Sequence, residues 1–467
     1  KAIETSLQGL KVLGESLSYE PPPDLIIEDL VNLPEMTDPC KLAVMRIVIT
    51  MVTPSLNARP DLLGAIAYTL VNQSIQFGNS AFSAFGYTFY GLVLCGSPDG
   101  IDQGYRFGQI GLTLLERFHA RKLHAKVINI FDVFVRHWRE PAQKTIAPLR
   151  DAIQIGLETG DVEYACYNAT SYCNYLFFVG EALEEVNQQQ KKYIDLLLKY
   201  KQEYQIYFGQ ICHQLVLNLL GATENPLILV GESFDEHTVL PILIETQNGT
   251  LLFLFHLAKT ILFFIFKDYQ QALIHAKEAE KYQGNMIGFL QFVEHNFYYS
   301  LTLLATYPEA NEADKLAALK KVAENQELMR QWANHAPANH QHKYDLIEAE
   351  RAKVLGADLE AMALYDQAIQ GAKDNGYVQE EAVANKMAAE FYASRQRDRI
   401  AQLYLREAYY SYLRWGAIGK TKQMEERHPQ LLAQVTNDSV TTGHISTTNS
   451  SSISQRAHDF DLGTILK

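Results

Sequence analysis

The sequence predicts an all-α fold, a curved solenoid of antiparallel helix pairs, and three observations carry that prediction. A helix-pair pattern near the C-terminal end returns after about forty residues, the period range of helical repeat arrays. One copy runs Gly356, Ala361, Leu364, Tyr365, Ala368 to the breaker Gly376, and the next sets Gln396, Ala401, Tyr404, Leu405, Ala408 and Gly416 at the same offsets. From Asp24 onward, apolar residues recur with helical spacing between breaks at Gly, Pro, Asn or Asp, without strand alternation. Finally, 467 residues exceed what one ordinary core encloses, whereas an array buries each unit only against its neighbours.

Taken in order, the spacing predicts helices over 39–51, 59–77, 81–94, 101–120, 121–139, 142–159 and 162–178. The pairing continues over 181–200, 202–220, 251–266, 269–282, 287–306 and 313–334, lengths that suit antiparallel hairpins. The last pairs are 343–355 with 359–374 and 379–395 with 399–415, and 420–428 forms a cap that stops before Pro429. Two places interrupt the rhythm. Residues 221–249 carry Pro226, Gly231, Pro241 and Gly249 and read as a long loop or short helix between two halves of the array, 1–220 and 250–434. His335 to Gln341 reads as a turn in which Asn339 caps the following helix. Beyond 434 the composition changes: eleven of the twenty residues from Thr436 to Gln455 are Ser or Thr, so 435–467 is expected to be a flexible linker.

Within the N-terminal half, Gly104, Gly108 and Gly111 fall on one helix face. Helical glycine costs about 0.5 to 1 kcal/mol relative to alanine, so three in one helix predict the close approach of a neighbour. The aromatic runs Phe82, Phe85, Tyr87, Phe89, Tyr90 and Tyr172, Tyr175, Phe177, Phe178 read as core.

Charge and cysteine usage narrow the function classes. With 41 basic and 54 acidic residues the net charge is −13, and no Lys/Arg block is present to neutralise a run of phosphates, so nucleic acid is not the expected partner. Cys40, Cys95, Cys166, Cys173 and Cys212 form no CxxC pair and read as buried thiols of a cytoplasmic protein. The start Lys1-Ala2-Ile3-Glu4 lacks an initiator Met, a basic n-region and an apolar signal core, and reads as an internal piece of a longer polypeptide. The lipophilic stretch 251–266 is interrupted by His256, Lys259 and Thr260 and reads as a buried helix, so no membrane span is expected.

Chemistry is sparse. His335, His340 and His342, followed by Glu348 and Glu350, are the strongest constellation for a metal- or ligand-binding sensor, or an enzyme, in the region His335 to Glu350. His340 and His342 stand two apart, however, and diverge on a helix, and HExxH and CxxC spacings are missing. Glu348 and Glu350 have no nucleophile or oxyanion donor beside them. Arg414-Trp415 joins a cation to a large ring, a combination enriched at binding hot spots. No GxxxxGK[ST] phosphate loop, kinase motif set or GxSxG elbow is present. The expectation is a non-catalytic segment with no cofactor and no metal. Its partner- or ligand-binding residues are expected to be Asn339, His342, Lys343, Glu350, Arg414 and Trp415, along an elongated groove of the array.

Several strings then point to a family. Ser83-Ala84-Phe85-Gly86-Tyr87, Tyr90 to Gly96, Gly104-Tyr105-Arg106-Phe107-Gly108, Arg136-His137-Trp138, Gly156 to Asp161, Asn218-Leu219-Leu220-Gly221, His342 to Gly356 and Arg414-Trp415-Gly416-Ala417 resemble the tetratricopeptide-like helical region of large bacterial, often cyanobacterial, multi-sensor signal-transduction multi-kinases. In that family a Ser/Thr kinase-like domain and a STAND-type ATPase precede the array, and a GAF domain and a histidine kinase follow. The resemblance spans residues 10–432 and continues in Phe460 to Lys467, which looks like the lead into a GAF domain. It implies a regulatory scaffold that binds protein domains of the same polypeptide, other signalling partners or a small effector. None of the family's catalytic motifs lies inside this chain, so no catalytic residue carries over.

Overall fold

The computed structural model describes residues 1–23, 26–429 and 431, and the expected linker over 435–467 lies outside the described residues. Among the described residues, helices join through short turns and no strand forms, only two isolated β-bridges. The molecule is an all-α solenoid of paired antiparallel helices. Residues Lys1–Lys422 make one compact unit by their internal contacts, and Gln423–Lys467 a second, which opens within the last helix.

The first unit begins with α1 (Ala2–Val12), a helix the sequence pattern does not single out, then α2 (Pro39–Thr50), α3 (Val52–Ala58) and α4 (Leu63–Phe77). Asp38 caps α2 by accepting the Cys40 N–H at 2.8 Å, with Pro39 at the first helical position, where its missing N–H is no loss. The pair α5 (Ala81–Cys95) and α6 (Ile101–Arg117) is the most intimate of the molecule. A Cβ on Gly91 would sit 2.5 Å from the Gly104 carbonyl oxygen, one on Gly104 2.5 Å from the Gly91 oxygen, and one on Gly111 2.6 Å from the Ala84 oxygen. Of the glycines predicted to share a face on α6, Gly104 and Gly111 therefore rest on the α5 backbone, whereas Gly108 makes room for the Phe131 ring. Next come α7 (His124–Phe134), α8 (Ile146–Thr159), α9 (Val162–Phe178), α10 (Leu183–Lys199) and α11 (Glu203–Leu220). The expected helix over 121–139 breaks after Phe134.

The irregular connection contains one short helix, α12 (Glu236–Glu245), and leads to α13 (Gly249–Phe266), α14 (Tyr269–Glu280) and α15 (Leu290–Thr306). Asn248 and Asp268 cap α13 and α14 with their side chains. By length and composition two segments could cross a bilayer: residues Pro39–Leu56, 33% buried in the fold, and Gly249–Phe266, 83% buried. Packing explains the lipophilicity of the second, because α13 is enclosed by neighbouring helices on nearly every side.

The repeat pairs close the unit: α16 (Glu312–His335), α17 (Pro337–Val354), α18 (Asp358–Asp374), α19 (Val378–Ser394) and α20 (Asp398–Trp415), followed by α21 (Ile418–Arg427). The turn expected over His335–Gln341 is a correction. Helix α16 runs through His335 and α17 starts at Pro337, leaving Ala336 between them, because proline at a first helical position starts a helix rather than preventing one. Asn339 is consequently inside the first turn of α17 and caps nothing there.

Later pairs lie on earlier ones. Gln143 reaches the Asn375 carbonyl, Gln379 the Phe178 carbonyl, and Asn339 the backbone of residues 137–142, across separations of 197 to 232 positions. Gly221 (φ +74°) packs against the backbone of Gly419, where a Cβ would meet it at 3.1 Å. At these positions the ends of the earlier pairs are covered by helices of the later ones.

Candidate functional site

Five of the six residues singled out from the sequence are interior. Asn339, His342, Lys343, Glu350 and Trp415 are each at most 2% exposed. Four of them project from α17 or the end of α20 into the layer where later pairs meet α9, α15 and α19.

Asn339 is saturated. Its Nδ2 donates to the carbonyls of His137 (2.7 Å) and Glu140 (2.8 Å), and its Oδ1 accepts from the Ala142 N–H and the Tyr377 hydroxyl, both at 2.9 Å. A carboxamide has two donors and two acceptor lone pairs, and all four are used. The turn 137–142 is thereby held to the start of α17.

Four residues on, Lys343 stands between two carboxylates. Its Nζ lies 3.0 Å from Glu294 on α15 and makes a short ion pair with Glu380 on α19, with the Phe297 and Tyr377 rings 5.3 and 5.1 Å away. His342 contacts the other Glu380 oxygen through Nε2. Burial alone would lower the Lys343 pKa, but the charges of Glu294 and Glu380 more than reverse this and hold it above its ordinary value. Burial would raise Glu380, and Lys343 and His342 overcome it and hold it low. Glu294 goes the other way: burial raises it, and Lys343, already shared, offsets this only in part while Glu380 adds repulsion. Burial also lowers His342, against the pull of Glu380. One ammonium, one carboxylate, one neutral imidazole donating from Nε2 and one carboxyl that takes up a proton readily make a near-neutral cluster, which is how a dry interior tolerates four ionisable groups.

Glu350 accepts from the Tyr365 hydroxyl in a short hydrogen bond and pairs with Lys353 at 2.8 Å, tying α17 to α18. Trp415 packs on Phe177, ring centres 5.7 Å apart. Arg414, whose side chain is 57% exposed, donates to both oxygens of Glu381 at 2.8 Å and to Ser411 at 3.1 Å. The sequence reading missed Glu294, Glu380, Glu381 and Tyr377. A signal was present for three of them: Glu294 interrupts an apolar helix, and Glu380 with Glu381 opens an alanine-rich one buried on nearly every side.

The three histidines of the expected constellation separate. His335 Nδ1 faces Asp102 at 3.3 Å, His342 faces Glu380, and His340 lies among the Trp138 and Trp332 rings with both nitrogens unpaired. Among the described residues no group of three or more His, Cys, Asp or Glu side chains is placed to hold a metal ion. The cysteines are free thiols, and Cys40 departs from the expectation by being exposed at the start of α2.

No family model matches the chain. A stretch of 163 residues, 34% of the chain, is 26% identical to part of the hybrid signal transduction histidine kinase G of Dictyostelium discoideum, and that stretch spans 5% of the relative's own length. Among solved structures, the chain aligns with a circular tandem repeat protein with novel repeat topology and enhanced subunit contact surfaces, at 10% identity over 94% of this chain and 98% of the other, with a TM-score of 0.18. The all-α array of helix pairs, established by its own elements, contains a region similar to part of a signalling histidine kinase.

Proposed function

We propose that the chain is a non-catalytic interaction scaffold of a cytoplasmic signal-transduction kinase, coupling an upstream kinase or ATPase module to a downstream GAF and histidine-kinase module. The observation that carries this reading is how the array uses its reactive side chains. On α17, His342, Lys343 and Glu350 are buried and bound to other helices, whereas the turn between α17 and α18 presents leucines to solvent. Leu355 and Leu359 are 56% and 85% exposed, and Leu403 on α20 48%. The Arg395 to Asp358 ion pair at 2.8 Å holds the α17/α18 turn, flanked by Leu355 and Leu359, beside the α19/α20 turn, from which α20 continues through Leu403 to Arg414. Apolar side chains on a fixed polar frame are what a protein partner docks on. The similarity to part of a histidine kinase supports the signalling context. In this reading Asn339, His342, Lys343, Glu350 and Trp415 hold the frame, and Arg414 belongs to the contacting edge.

The test is kinase control in the full native polypeptide. Leu359→Glu combined with Leu403→Glu is expected to keep the helical circular dichroism and the thermal midpoint while changing the autophosphorylation rate at least severalfold. An unchanged rate with intact folding removes the docking edge, and flanking coding sequence without kinase, ATPase or sensor domains removes the coupling role.

A further inference from the structure

Helices α18 and α20 hold equivalent places in successive repeats and lie side by side. Asp358, at the start of α18, pairs with Arg395 just before α20, and farther along the Tyr404 hydroxyl donates to Asp366 at 2.5 Å. The two contacts join residues 37 and 38 positions apart, so the helices run in the same direction and in register. Equivalent positions face outward on both. On α18 these are Leu359, Ala363, Asp366 and Asp374, all exposed; forty positions on, α20 presents Arg399, Leu403, the half-buried Arg406 and Arg414.

The two stripes differ in charge. Helix α18 carries four acidic residues and one lysine, whereas α20 carries three arginines and two acidic residues. At matching positions an aspartate on α18 is answered by an arginine on α20: Asp366 by Arg406, and Asp374 by Arg414. Asp366 and Asp374 each accept one internal hydrogen bond through Oδ1, from Tyr404 and from Gln370, which leaves the second oxygen of each carboxylate. Arg414 holds Glu381 and Ser411 through a single terminal nitrogen of a guanidinium that has five N–H donors. A surface of one sign calls for a partner of the other, but acid and base at matching places on parallel neighbours complement a copy of themselves. A two-fold axis running along the line between α18 and α20 sets each helix on the other helix of the mate. Asp366 of one copy then faces Arg406 of the other, Asp374 faces Arg414, and Leu403 faces the small Ala363. Helices of 17 and 18 residues are about 25 Å long and, side by side, about 20 Å wide. The contact covers roughly 500 Å² per copy and about 1,000 Å² in total, the low end for a specific interface, which predicts a weak, salt-sensitive dimer.

We propose that the outer face of α18 and α20 is a self-association surface whose occupant is a second copy of this chain. The inference deepens the docking-edge reading and rests on it for the surface. The test is sedimentation velocity of the purified full chain over a concentration series at low and high salt. A monomer-to-dimer equilibrium is expected, with a dissociation constant that rises severalfold in high salt. Asp366→Arg and Arg406→Asp, each alone, are expected to weaken the dimer at least tenfold with the helical spectrum intact. An equimolar mixture of the two variants, or a chain carrying both changes, regains association because every facing pair is again opposite in charge. Asp374→Arg gives the same loss should Asp366→Arg fold poorly without its Tyr404 bond. A chain that stays monomeric at every concentration, a dimer that the single variants leave intact, or losses that the mixture does not regain overturn the proposal. A monomeric parent whose leucine variants change the kinase rate keeps the docking edge for a different partner and removes self-pairing. A dimer whose leucine variants leave that rate unchanged keeps self-pairing and removes its part in kinase control.

Discussion

The α5/α6 pair and the layer of α15, α17 and α19 are both deeply buried, yet opposite means hold them together. In the first, Gly91 and Gly104 let one helix backbone rest on the other, and any added carbon would strike a carbonyl at 2.5 Å. In the second, the helices carry ionisable side chains that meet as Lys343, Glu294, Glu380 and His342, each tolerable only because of the others. The difference teaches where each contact is fragile. Backbone contact fails when atoms are added; a charge cluster fails when one member is removed.

The comparison breaks most sharply at Lys343. Lys343→Met strands two buried carboxylates and is expected to cost about 3–5 kcal/mol in denaturant unfolding, the range for losing one partner of a buried ion pair. Adding Glu294→Gln and Glu380→Gln is expected to recover most of that loss, and a failure to recover would show that Lys343 acts through packing. Gly91→Ala is expected to cost about 1–3 kcal/mol, the usual range for overpacking, with no dependence on pH between 5 and 8. A smaller effect sharpens the electrostatic side. The folded pKa of Glu294 is raised above its ordinary 4.5, so its contribution to stability is fully present below 4.5 and is lost as pH rises through the folded value. Glu294→Gln should therefore gain stability relative to the parent as pH rises from 5 to 8, by on the order of 1 kcal/mol; an opposite slope would contradict the assignment. Buried histidines have the contrary sign: His137 and His295, lowered to about 3, stabilise fully above 6.5 and lose that contribution as pH falls toward 3. The Glu294 effect must thus be read as a difference between variant and parent. The least effect is expected at the exposed Arg414, where Arg414→Ala should cost about 1 kcal/mol or less and shrink further in high salt.

The α5/α6 contact was legible in the sequence because a missing side chain is a local fact. Gly104, Gly108 and Gly111 announce a close neighbour whatever that neighbour is. The residues of α17 were legible as unusual, but not in their roles. Asn339 looked like a cap because Pro337 and three histidines suggested a turn, and only the returning chain at 137–142 shows why a carboxamide stands there.

Composition and periodicity alone determined the class of this protein: helical spacing without strand alternation, and a small-residue pattern returning after about forty residues, leave stacked helix pairs as the way to bury the apolar faces. Tertiary structure decided which polar residues face one another, because those partners lie from 15 to about 200 positions apart and no local pattern encodes a meeting at that distance. Backbone geometry fixes helices from neighbours in sequence, while burial and charge pairing depend on neighbours in space.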